Sequence, residues 1–114
     1  MKLHILSCVF VLAASGMSGV HANGTANETA AMTDFVRDNG CFSCHSVNEK
    51  IVGPSFQSIS SKYAGDKDAI ASLVQSIRNG SSGKWGSRIA MPAQSSISNE
   101  DLNKLAKWTL SQNP

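Results

Sequence analysis

Five consecutive residues carry the chemistry: Cys41-Phe42-Ser43-Cys44-His45. C-x-x-C-H is the attachment signature of c-type haem. Two thiols with two residues between them can reach two vinyl groups on one edge of a rigid macrocycle, and the histidine that follows is then held beneath the iron as its proximal ligand. Two other chemistries use the same residue types. A thioredoxin-like C-x-x-C needs a βαβ context, and no stretch of this chain alternates as a strand would. A zinc site needs three or four ligands, and three adjacent in sequence cannot close a tetrahedron alone.

An electron carrier works best with six-coordinate iron, because little then moves when the electron arrives. The second axial ligand must come from elsewhere, and Met32 and Met91 are the candidates past the first segment. Met32 has apolar helical neighbours and reads as core. Met91 precedes Pro92 in an irregular segment that could cross the far face of the haem, although a gap-filling methionine would look the same. A thioether ligand and an apolar pocket would each favour the ferrous state.

The elements that must position these groups are helices. Gly40 fits the left-handed stop of a helix over 29–39, on which Met32, Phe35 and Val36 share a face. Residues 23–28 are polar and read as frayed. A loop ending in Gly53-Pro54 leads to a short helix over 55–63 with Phe56 and Ile59 inward, broken at Gly65-Asp66. Over 68–78, Ile70, Leu73, Val74 and Ile77 recur with helical period, and Asn79-Gly80 closes the turn. Residues 81–96 read as loop. Ser98, with Asp101 three residues later, caps a last helix running to about Ser111. The expectation is an all-α domain of about four helices around one covalently bound haem c.

The chain has 114 residues, a hydrophobic fraction of 41% and a formal charge of +2. One domain is implied, and the charge is too mild, with no Lys/Arg block, for nucleic acid to be a partner. The start reads as a secretory signal: Lys2, an apolar run over 3–14, then Val20-His21-Ala22 as a small-x-small cleavage pattern. The run is short for a bilayer span of ~20 residues, which counts against a retained anchor, and too little apolar sequence precedes Cys8 for a lipid-modified cysteine. We therefore expect residues 1–22 to be a cleaved signal and 23–114 to be the mature domain, exported to the periplasm and not membrane-spanning. Cleavage leaves Cys41 and Cys44 as the only cysteines, His45 as the only histidine and a nearly neutral chain. A disulfide between such close cysteines closes too small a loop to hold a fold, so a large apolar cofactor is the expected staple for so small a domain.

Asn39-Gly40 before the motif, Val52-Gly53-Pro54, Lys62-Tyr63-Ala64-Gly65, Ile77-Arg78-Asn79-Gly80-Ser81, Gly83-Lys84-Trp85-Gly86, Met91-Pro92 and Leu105-Ala106-Lys107-Trp108 follow in one order. In these stretches the chain resembles the small bacterial class I cytochromes c of the c-551/c-552 (c8) type. The resemblance implies a class I cytochrome c fold, one haem c (with its iron) bound through Cys41 and Cys44, and iron ligation by His45 and Met91. It implies that the Pro54 carbonyl accepts a bond from His45, that the Trp85 indole N–H reaches a haem propionate, and that Phe35 and Trp108 meet where the first and last helices cross. A basic residue of the third helix also reaches a propionate in such proteins; Arg78 is the candidate, although not at the matching position. Pro92-Ala93-Gln94 replaces the usual Pro-Pro-Asn, whose Asn donates to the methionine sulfur, so Gln94 is the candidate for that contact. The 85–91 stretch is also one residue longer than the usual pattern.

The function implied is that of a soluble monohaem electron carrier and not an enzyme, probed against a gas-binding or peroxidatic haem protein by whether carbon monoxide binds the ferrous form. Expected partners are redox proteins such as a terminal oxidase, a nitrite reductase or a quinol-oxidising complex, with the carrier itself monomeric. Phe42, Ile51, Val52 and Ile89, rimmed by Lys50 and Lys84, are the expected contact patch.

Overall fold

Among the described residues four helices form, three of them close to the spans that apolar spacing and turn signals predict. The computed structural model describes residues 22–86 and 88–114. Helix α1 spans Ala22–Asp38, α2 Phe56–Lys62, α3 Ala69–Asn79 and α4 Asn99–Leu110, with a single 3₁₀ turn at Cys41–Ser43. Among the described residues there is no strand, only an isolated antiparallel bridge between Ser81 and Met91. No described helix is long and apolar enough to cross a membrane. The expected signal segment lies outside the described residues except for Ala22.

The helix ends follow the chemistry of their caps. Ser55 Oγ accepts from the Ser58 N–H at 3.0 Å, and Ser98 Oγ accepts from the Asp101 N–H at 3.1 Å. Each supplies a partner to a first-turn donor that the helix cannot satisfy itself. Gly40 sits at φ 72°, ψ 13°, the left-handed conformation that ends α1 and turns the chain into the cysteine motif.

One expectation fails. Residues 23–28 belong to α1. Ala22, Ala26 and Ala30 are good helix formers, and no proline intervenes. The Thr29 hydroxyl donates to the Thr25 carbonyl at 2.9 Å, one turn back along the helix. Residues 25–30 are exposed throughout, so this part of α1 buries no apolar face.

Helix α4 is the hub, packing against α1, α2 and α3. Leu102, Leu105, Ala106, Trp108 and Thr109 are buried along it. Val36 of α1, Phe56 and Ile59 of α2 and Leu73 of α3 complete the core, with Met32 and Phe35 packed against its edge. The Phe56 and Trp108 rings meet edge to face with centroids 4.9 Å apart, a geometry worth about 0.5–1.5 kcal/mol beyond area burial. Polar contacts also join the layers: the buried Ser60 hydroxyl donates to the Leu110 carbonyl at 2.7 Å and lies 2.9 Å from Asn113 Oδ1. The all-α expectation holds, and the helices leave one face of the core open as a cleft.

Candidate haem-binding site

The cleft is lined by Cys41, Cys44 and His45 from the motif, Phe56 and Ile59 from α2, Leu73 and Ile77 from α3, and Trp85, Ile89 and Met91 from the loop before α4. Pro54 and Gln94 also line it. Thus seven of the eight expected site residues share one apolar-walled cavity, although they come from four separate segments of chain.

The motif is held as a rigid turn. Gly53 N–H donates to the Cys44 carbonyl at 2.7 Å, and Phe56 N–H to the Ser46 carbonyl at 2.9 Å. These bonds fold the 48–54 loop back beneath His45. Cys41 and Cys44 are both half-buried and are not joined in a disulfide. Burial pushes the Cys41 thiol above its ordinary range, with a smaller opposing effect from a backbone hydrogen bond.

His45 Nδ1 lies 2.7 Å from the Pro54 carbonyl oxygen. A carbonyl can only accept, so Nδ1 carries the proton and donates, and in the neutral ring Nε2 keeps its lone pair. The ring packs on Phe56, with centroids 5.3 Å apart. Gly53 makes room for it: a Cβ there would stand 2.6 Å from His45 Cε1. The residue before Pro54 is therefore glycine for the sake of the imidazole.

Met91 is presented by a different device. Its N–H donates to the Ser81 carbonyl at 2.8 Å and its carbonyl accepts from Ser81 N–H at 3.1 Å. Gly80 permits this close approach. It has φ 80° and ψ 169°, and a Cβ would meet the Met91 carbonyl oxygen at 2.7 Å. Gln94 N–H donates to the Ile77 carbonyl at 2.9 Å, tying the far end of the loop to α3.

Two expected site residues have other partners. Arg78 does not line the cleft; its Nη2 donates to Asn99 Oδ1 at the start of α4. The reason is register: Leu73, Ser76 and Ile77, at i, i+3 and i+4, form the stripe of α3 that faces the cleft, and Arg78 at i+5 falls off it. Gln94 Nε2 donates to the Pro92 carbonyl at 3.3 Å, and no bond from it to the Met91 sulfur occurs among the described residues. The longer side chain curls back onto its own loop. Met32 stays with the core. Phe42 is half-buried, its ring edge-on to Phe56 at 5.9 Å, so it contributes to the core rather than standing free in a surface patch.

These residues fit a haem. The wall is apolar enough for a macrocycle, the thiols sit at one edge, a lone-pair nitrogen is oriented by its own backbone, and two glycines clear the space that Cβ atoms would fill. Gly53, Gly80 and Ser76 were not singled out as site residues from sequence. For Gly53 and Gly80 the signal was available, since each stands inside a matching stretch.

The cytochrome c family model matches residues 30–113. The chain belongs to the cytochrome c family. Among its relatives, cytochrome c-551 of Pseudomonas aeruginosa is 43% identical over 76 residues, covering 67% of this chain and 71% of that protein. Cytochrome c-552 of Hydrogenobacter thermophilus is 40% identical over 88 residues, covering 77% and 88%. The crystal structure of wild-type Nitrosomonas europaea cytochrome c552 superimposes with a TM-score of 0.67 at 40% identity, covering 71% of this chain and 99% of that one. As a small class I cytochrome c, the protein binds one haem c covalently through Cys41 and Cys44, transfers electrons rather than catalysing a reaction, and has redox proteins as partners.

Proposed function

We propose that this cytochrome c is a periplasmic shuttle of single electrons whose iron is held between His45 Nε2 and Met91 Sδ. The observation that carries this reading is the 2.7 Å contact of His45 Nδ1 with the Pro54 carbonyl. It commits one ring nitrogen to the backbone, leaves the other for a metal, and makes the ring a stronger donor. The haem supplies an iron that gains and loses one electron.

The chain's own residues do the rest. Cys41 and Cys44 anchor one edge. Phe56 and Ile59 shield the His45 side, and the Ser81–Met91 bridge holds the thioether on the opposite wall. Trp85, half-buried where it lines the cleft, would offer its indole N–H to a haem carboxylate. Fixed ligands on both sides keep reorganisation small. Partners of the expected kinds, a terminal oxidase, a nitrite reductase or a quinol-oxidising complex, meet the apolar surface at and beside the cleft mouth: Ile51 is 48% exposed, and Val52 (41%) and Ile89 (65%) border the cleft. Small apolar patches with sparse charge suit brief encounters. Residues 1–22 act as the cleaved export signal and 23–114 as the mature monomer.

Spectroscopy of the purified holoprotein tests the ligation. Low-spin spectra in both oxidation states, with no carbon monoxide uptake by the ferrous form, are expected. Ready carbon monoxide binding at neutral pH would replace the shuttle with a ligand-binding haem protein. For the patch, Ile51→Asp and Ile89→Asp should slow electron exchange with the partners; unchanged rates with all of them would discard it. A mass spectrum of the mature protein fixes the cleavage site.

A further inference from the structure

Arg78 is turned away to Asn99, yet the cleft keeps a cation. Apart from His45, Lys84 is the one titratable basic or acidic side chain among the described residues that line it, excluding the thiols and Tyr63. Its Nζ donates to Ser76 Oγ at 2.9 Å. Ser76 is half-buried and stands beside Ile77 on the cleft side of α3. The Lys84 carbonyl accepts from Lys62 Nζ at 3.2 Å, and the Lys62 ammonium lies over the Trp85 ring, 4.6 Å from its centroid.

These contacts gather hydrogen-bond donors at one end of the cleft. An ammonium has three N–H donors, and Ser76 takes one from Lys84. The serine hydroxyl, having accepted, keeps its own O–H to give. No aspartate or glutamate lines the cavity to take up these donors. A donor-rich end carrying a fixed positive charge is complementary to a carboxylate, and a haem presents two carboxylates on one edge.

We propose that Lys84, braced on Ser76, is the cation that pairs with a haem propionate, a role the loop performs because Arg78 of α3 faces elsewhere. The inference rests on the reading that the Trp85 end of the cleft receives the carboxylate edge. Lys84 is then a positioning residue and a tuning charge. A positive charge beside the cofactor disfavours the ferric state, which carries one more positive charge than the ferrous.

The test uses holoprotein variants, read by midpoint potential, by the near-infrared sulfur–iron band, and by nuclear Overhauser contacts between residue 84 and the propionate methylenes in the ferrous protein. Lys84→Met should lower the potential and shift the ferrous-to-ferric ratio at fixed poise several-fold toward ferric, with the sulfur–iron band intact. Lys84→Arg should retain the wild-type value. Ser76→Ala should give a smaller fall and add nothing in the Lys84→Met background. Arg78→Met should leave the potential where it is. A wild-type potential in Lys84→Met, with no contact from Lys84 to the propionates, would overturn the inference and leave Lys84–Ser76 as a surface hydrogen bond. Trp85→Phe separates the two readings. A shift there with none in Lys84→Met overturns the Lys84 role alone, while no shift in either overturns the placement of the carboxylate edge as well.

Discussion

The two walls of the cleft are built on different plans. The His45 wall is continuous in sequence: motif, returning loop and the start of α2 lie between residues 41 and 57, stitched by backbone bonds from Gly53 to Cys44, Phe56 to Ser46 and Gln57 to Val47. The imidazole is fixed by Pro54 and by the Phe56 ring. The Met91 wall is a loop fastened by the Ser81–Met91 bridge and by Gln94 on Ile77, with side-chain ties from Lys84 to Ser76 and from Lys62 to the Lys84 carbonyl between them. Between those ties, Gly83, Lys84, Gly86, Arg88, Ile89 and Ala90 are exposed. The proposed nitrogen ligand, locked by local structure, stands against a proposed sulfur ligand hung on a few long-range contacts. Local opening draws on segments with few buried contacts, so the methionine side is where this site should yield first.

Several variants would break or sharpen that contrast. The largest effect is expected at Gly53, since the rigid wall has nowhere to move. Gly53→Val drives its Cβ into contact with the His45 ring at 2.6 Å, and haem incorporation during expression should collapse; normal yield of wild-type spectrum would show that the wall is soft. Gly80→Ala is next. Its Cβ meets the Met91 carbonyl and its backbone lies where only glycine is at ease, so a loss of about 1–3 kcal/mol is expected, measured by denaturant unfolding. The sulfur–iron band should weaken in parallel while the histidine stays bound. Added imidazole or cyanide should then displace the thioether first, and faster in Gly80→Ala than in wild type; displacement of histidine instead would reverse the ranking of the walls. The smallest effect is set at the cap of α4. Ser98→Ala should cost about 1 kcal/mol and leave the haem spectrum unchanged, because this cap supports the hub helix without touching the cleft.

The same contrast explains what could be read in the chain beforehand. The His45 wall was legible because its contacts are short-range and its residues form one motif; the caps Ser55 and Ser98 and the stop at Gly40 are likewise local signals. The first part of α1 was not legible because residues 25–30 are exposed, and an unburied helix carries no apolar period to detect. Arg78 already stood off the matching position in the sequence, and the structure turns it to Asn99 rather than into the cleft. Lys84 on Ser76, Lys62 on Trp85 and Ser60 on Leu110 bring together residues from different elements. No local pattern announces them, because each depends on how α2, α3 and α4 settle against one another. Gln94 shows the limit of resemblance: one methylene more than asparagine lets its amide reach back to Pro92 instead of forward to the sulfur.

X-ray absorption at the iron edge of the oxidised holoprotein tests the proposed ligation most directly, because it counts ligand atoms by element. One sulfur among otherwise nitrogen neighbours is expected, lost in Met91→Ala while the nitrogen shell persists. A wild-type shell of nitrogen and oxygen alone, or a sulfur that survives Met91→Ala, would contradict it.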